Sequence, residues 1–295
     1  MRRYLGMACL AAACVIAPVG AKEEAAPSGA LEDLITMRVD GELVVGTDGK
    51  VASYVVKTKV DDKLKTLIDQ NVAQWRFETV SKDGQATRAR SDMRITLVAK
   101  QAANGYDVHI DNVVFMPPGL DAADAAAAAQ GTTRTTIEIT KQRPMPQYPH
   151  YSVNGLVTLM VHVAPDGTVA DIDATQCSLY FAGGSEVNKK RACKAMEDNA
   201  LRAIRQWHFK LSDKPGAETV GVMPVQYRMP GARAEQILAT SKPGKWRLES
   251  RGPYRKPAWA RDANGQRVGT ADAVGDELLP SNSILKFRSG GPEGA

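Results

Sequence analysis

The 295-residue sequence is poor in the groups that carry metal, redox or nucleophilic chemistry. It has four cysteines and four histidines, and none of His109, His150, His162 and His208 stands at metal-ligand spacing to another or to a cysteine. No Gly-x-Ser-x-Gly elbow and no glycine-rich phosphate or dinucleotide loop is present. The paired acids Asp171 and Asp173 fall on alternating positions of a strand pattern, where solvated side chains are expected. An enzyme is therefore not expected, nor a metal or cofactor. Aromatics make up only 6% of the chain, and 25 glycines with 16 prolines show no period, which excludes collagen and coiled coil. With 43% hydrophobic and 24% charged residues, one or two globular domains are expected.

What is present begins with an N-terminal export pattern. Arg2 and Arg3 precede an apolar run from Tyr4 to Val19, and Val19-Gly20-Ala21 is a small-residue cleavage pattern. Residues 1–21 are expected to be a cleaved signal peptide, and the mature chain periplasmic. Membrane association follows only if the segment is retained or Cys14 is lipidated. Removal of 1–21 turns the formal charge of +5 into +3 and leaves two cysteines, Cys177 and Cys193. In an oxidising compartment these two are expected to form a disulfide that closes a loop of about 15 residues.

The chain contains an internal repeat. Gly41 to Ala52 includes Asp48-Gly49 and is followed by Gln74-Trp75-Arg76-Phe77; Gly155 to Ala170 includes Asp166-Gly167 and is followed by Gln206-Trp207-His208-Phe209. Val157, Leu159, Val161 and Val163 alternate with Thr158, Met160 and His162, which predicts a half-buried strand, and Asp-Gly between two such runs predicts a hairpin. Leu64, Ile68, Val72 and Trp75 share one face of a helix behind Asp61 as N-cap, and Cys193, Met196, Ala200, Ile204 and Trp207 do the same in the second copy. Both tryptophans are expected in the core. A third strand follows, Met93 to Ala99 and Val220 to Met229.

This order, with Pro146-Gln147-Tyr148-Pro149 before the first strand of the second copy and Ala203 to Phe209 at its helix end, resembles the C-terminal domain of the TonB family of periplasmic energy transducers. The resemblance implies an α+β fold of two tandem β-β-α-β modules, each a small antiparallel sheet with one helix on a face: residues 31–100 and, closer to the family, 143–230. It implies binding of a protein partner through a sheet edge, with TonB-dependent outer-membrane receptors as the partner class and Gln147, Tyr148, Val220, Val222, Val225 and Tyr227 as partner-binding positions. The Tyr148-Pro149 pair has an alternative role, pinning the chain's approach to the first strand. A transducer needs a membrane anchor and usually a proline-rich spacer; this chain has a cleavable-looking leader and no such spacer before Leu34. A soluble binding relative is expected; an anchored transducer, if the leader is retained, or a periplasmic enzyme of unrecognised type are the alternatives.

Three further expectations concern edges and connections. Pro224 marks the third strand of the second copy as an edge, and Arg88, Arg90 and Arg94 read as charges that defend the edge in the first. Residues 101–142 read as an acidic linker with strand-like stretches at Tyr106–Phe115 and Thr132–Thr140. Residues 231–295 read as a basic tail packed beside the domain, with Ser289 to Ala295 disordered. Basic and aromatic residues interleave in this tail, but export argues against nucleic acid.

Overall fold

The computed structural model describes residues 29–82, 84–116, 137–149, 154–180, 184–211, 219–228, 242–260, 279–280 and 285–292. The expected signal peptide, the alanine tract and His150 lie outside them. The elements of the first copy are β1 (Glu32–Val45), β2 (Val51–Val56), α1 (Asp62–Val72), β3 (Arg76–Phe77), β4 (Ser81–Lys82), β5 (Gln85–Ala86) and β6 (Ala89–Ala102). Next come β7 (Gly105–Met116) and β8 (Ile137–Lys141), then β9 (Asn154–Val163), β10 (Val169–Tyr180), α2 (Glu186–Ile204), β11 (His208–Leu211) and β12 (Thr219–Tyr227). The C-terminal part adds β13 (Trp246–Arg251), a 3-10 turn at Ala258–Ala260, β14 (Leu279–Pro280) and β15 (Phe287–Ser289).

The sequence landmarks of the repeat are parts of one structural device. Gly49 and Gly167 take φ of 75° and 84°, as the Asp-Gly turns require. Asp48 and Asp166 each accept a hydrogen bond through Oδ1 from the backbone N–H two residues on, Lys50 and Thr168. The Phe of each Trp-x-Phe then closes over the turn: Phe77 N donates to Gly49 O and Phe209 N to Gly167 O, both at 2.8 Å. A Cβ at either glycine would lie within 2.3 Å of the same Phe carbonyl oxygen, so only glycine fits. Asp61 caps α1 by accepting from Lys63 N and Leu64 N, and Ser185 caps α2 by accepting from Asn188 N. Trp75 and Trp207 are buried, each in its own core.

The expected pair of small separate sheets is not what these elements build. The protein is mainly β, with one nine-stranded antiparallel sheet in the order β14-β12-β9-β10-β13-β1-β6-β7, β2 also pairing with β1. Among the described residues two α-helices pack on it, over separate cores. The physical reason is β13. It pairs with β1 from Glu32↔Arg251 to Met37↔Trp246 on one side and with Ser178–Tyr180 of β10 on the other, so strands of both copies share it as a neighbour. The segment read as a tail thus supplies a central strand. It then follows β10 further, as Gly252 N donates to Cys177 O and Arg255 N to Thr175 O. Its end returns to the first copy, where Leu285 and Phe287 enter the core beside Trp75 and β15 pairs with β3. Ser289 lies in that strand rather than in a disordered end.

The stretch read as a linker likewise begins in the sheet. β6 runs on to Ala102 and turns into β7, with eleven residue pairs between them. This makes β6 an interior strand, and its arginines do not guard an edge. Arg90 forms a two-pronged ion pair with Glu42, and Arg94 Nε donates to Asp40 Oδ1 at 2.8 Å, both across to β1. The sheet also curls: Val114 and Met116 of β7 pack with Met160 of β9 and Val222 of β12 on the face away from the helices.

Candidate functional site

The strand that positions the expected partner-binding residues is β12. On one side it pairs with β9 from Thr219↔Val163 to Tyr227↔Gly155. On the other, among the described residues, Gly221 and Val222 alone are paired, with Pro280 and Leu279. From Met223 to Tyr227 the outer side has no strand partner among the described residues. Pro224 falls within this stretch, where a missing N–H is tolerated.

Alternation along β12 splits the expected residues between two faces. Val225 and Tyr227 face the helix side with Met223, in the core built on Met196, Ala200 and Trp207. Val220 and Val222 point the other way, against Met160, Trp259 and Ala260. Val222 is 1% and Tyr227 4% exposed, and the Tyr227 hydroxyl donates to Met196 O at 2.8 Å, so these two positions offer a partner their backbone rather than their side chains. Burial raises the Tyr227 phenol above its ordinary range, so the hydroxyl stays protonated and remains a donor.

Gln147 and Tyr148 arrive from the Tyr-Pro lead-in. Pro144 O accepts from the Trp207 indole at 2.8 Å, which fixes the lead-in beside the last turn of α2. Tyr148, 38% exposed, meets Tyr227 edge to face with ring centres 6.3 Å apart, and Gln147 is exposed. Pro149 is buried. The structure therefore brings Tyr148, Val225 and Tyr227 together at one end of the open edge, and leaves Val220 and Val222 on the far face.

Cys177 and Cys193 form the disulfide, with Cα atoms 5.8 Å apart, tying the end of β10 to the second turn of α2. Among the described residues no group of three or more His, Cys, Asp or Glu could hold a metal ion, and no helix is long and apolar enough to cross a membrane.

Two clusters were not legible beforehand. His162 Nδ1 lies 3.1 Å from Asp171, and its ring stacks on Trp259, whose indole donates to Asp173; the two acids expected to be solvated thus anchor the C-terminal segment. At the seam between the copies, Glu249 is fully buried and accepts from Arg251 Nε, Arg247 Nη2, Ser178 Oγ and Thr36 Oγ1. Arg251 also reaches Asp111 of β7 at 2.9 Å. Burial would push the Glu249 carboxyl up, but Arg251 and then Arg247 outweigh it and hold it down, to about 2. The two arginines stand two residues to either side of Glu249, but the sequence does not announce its burial, since the hydroxyl partners Ser178 and Thr36 lie 71 and 213 residues away.

No protein-family model matches the chain, and no curated protein or solved structure does either.

Proposed function

We propose that this chain is a periplasmic, TonB-like binding protein that takes an extended segment of a cell-envelope or outer-membrane transport partner onto the outer edge of β12. The observation that carries the reading is a contrast between the two copies. The third strand of the first copy, β6, has its outer side filled by β7 over eleven residue pairs. The third strand of the second, β12, is paired on that side at two positions only among the described residues. Unpaired backbone N–H and C=O groups at a sheet edge are satisfied by an incoming strand, and neighbouring side chains add selectivity. Here Tyr148 and Val225 supply those side chains, while Gln147 stands exposed beside them.

Hydrogen exchange tests this directly. N-terminal peptides of outer-membrane transporters are added to the isolated chain, and amide protection is read residue by residue. Slowed exchange confined to Met223–Tyr227 and their neighbours is the expected result. Protection at β2 or β7 instead, or none with any such peptide, sinks the proposal.

A further inference from the structure

The lead-in and the end of α2 carry cations for which the described residues supply no ion pair. Pro144 is held against Trp207 by the indole hydrogen bond, so Arg143 and Met145 stand on either side of a contact just past α2, whose last turn carries Arg202 and whose C-cap is Arg205. Lys141 stands opposite His208 where β8 pairs with β11, and Lys210 follows two positions on. All five cations are exposed, and none makes a side-chain ion pair with another described residue. Among the described residues the nearby carboxylates are Glu138, the cross-strand partner of Lys210, Asp166, whose carboxyl lies within the field of His208, and Asp198, one turn before Arg202 and paired with Lys194. Elsewhere on the same helix Lys189, Lys190 and Lys194 are each paired, with Asp33, Glu186 and Asp198, and Arg191 is the remaining exposed cation. A helix C-terminus favours a cation or two through its dipole. It does not account for cations drawn from the lead-in and from β11, nor for Met145, whose large apolar side chain stands 55% exposed beside Arg143.

We propose that this patch docks the protein on an anionic phospholipid surface, the five cations facing the headgroups and Met145 entering the interface. Fixed cations around one exposed apolar side chain are the chemistry of peripheral attachment: the charges supply long-range attraction and the apolar group a shallow anchor. An acidic polypeptide would use the cations but leave Met145 in water. The patch lies beside the open β12 edge, since Tyr148, three residues beyond Met145, sits on Tyr227. Attachment there would hold that edge close to a membrane.

The test is co-sedimentation of the full chain with phosphatidylglycerol-containing vesicles and with neutral phosphatidylcholine vesicles at low salt. The expected result is anionic-selective binding that weakens with salt, and that falls roughly fivefold for each cation removed in Arg143→Gln and Arg205→Gln. Met145→Ser lowers binding at unchanged net charge. Lys65→Gln removes the same charge from a lysine already paired with Asp69 and leaves binding within twofold. Equal binding to both vesicle types, equal loss in Lys65→Gln, no effect of Met145→Ser, or capture of polyglutamate without capture of vesicles would each overturn the proposal. Peptide protection at Met223–Tyr227 is read separately, so either outcome is independent of the other.

Discussion

Glu249 stands with no exposure between two arginines, and such a site is costly to break from either side. A buried ion pair gains little over an apolar replacement, but removing one partner strands the other charge and costs about 3–5 kcal/mol. Glu249→Gln is expected to lose that much in urea unfolding at pH 7. The pH dependence has a definite sign. The folded carboxyl is depressed below the ordinary glutamate value near 4.3, so its contribution is present above that value and lost as pH falls toward about 2. Wild type should therefore lose more stability than Glu249→Gln across that window. Thr158 makes the opposite case. Its hydroxyl is buried and has no hydrogen-bond partner among the described residues. Thr158→Val keeps the shape and removes the unsatisfied group, so it is expected to be neutral or stabilising by up to about 1–2 kcal/mol; a loss beyond 1 kcal/mol by the same measurement would show that the hydroxyl is satisfied after all.

Among the elements, α2 is held to the sheet by apolar contacts and by the Cys177–Cys193 bond, which spans 16 residues. Replacing both cysteines with serine is expected to cost about 3 kcal/mol in the chain-entropy model, with no change in the strand content seen by circular dichroism. The local elements were legible because their causes are local. Asp-Gly, Trp-x-Phe, the Asp61 cap and the leucine-isoleucine-valine stripe of α1 each act within about thirty residues, and the disulfide needed only its loop length and compartment. β13 was hidden for the opposite reason. Trp246-Arg-Leu-Glu-Ser-Arg251 looks basic and amphipathic, and its charges become core groups only because Thr36 and Ser178 meet Glu249 from strands far away in sequence. β7 was half seen, as a strand-like stretch in a supposed linker. The candidate edge was legible as backbone, through Pro224 and the third-strand pattern, but not as side chains, because the face each valine takes depends on what packs there.

Over the whole molecule, the C-terminal segment ties the two copies into one cooperative structure. It bridges them at β13, pairs Arg255 with Glu197 of α2, lays Trp259 on β9 and β10, touches β12 at β14 and ends in the first core. In that core the Phe287 ring stacks on Phe77 at 4.8 Å and meets Trp75 and Phe115 edge-on or tilted, each at 5.4 Å. Phe287→Ala opens a cavity there, at about 3 kcal/mol for a ring that is partly exposed. Two independent modules would confine that loss to the first copy. A continuous sheet with a buried charge cluster at its seam has no boundary at which unfolding can stop, because parting β13 from β1 or β10 opens Glu249, Arg247 and Arg251 to water and strips the carboxylate of its Thr36 or Ser178 hydrogen bond. Global exchange in the second copy, read at buried amides of β9 such as Leu159 and Val161, is therefore expected to accelerate in Phe287→Ala by the same factor as in β1 and β6. Unchanged exchange in β9 beside faster exchange in β1 would show that the copies unfold separately in spite of the shared strand.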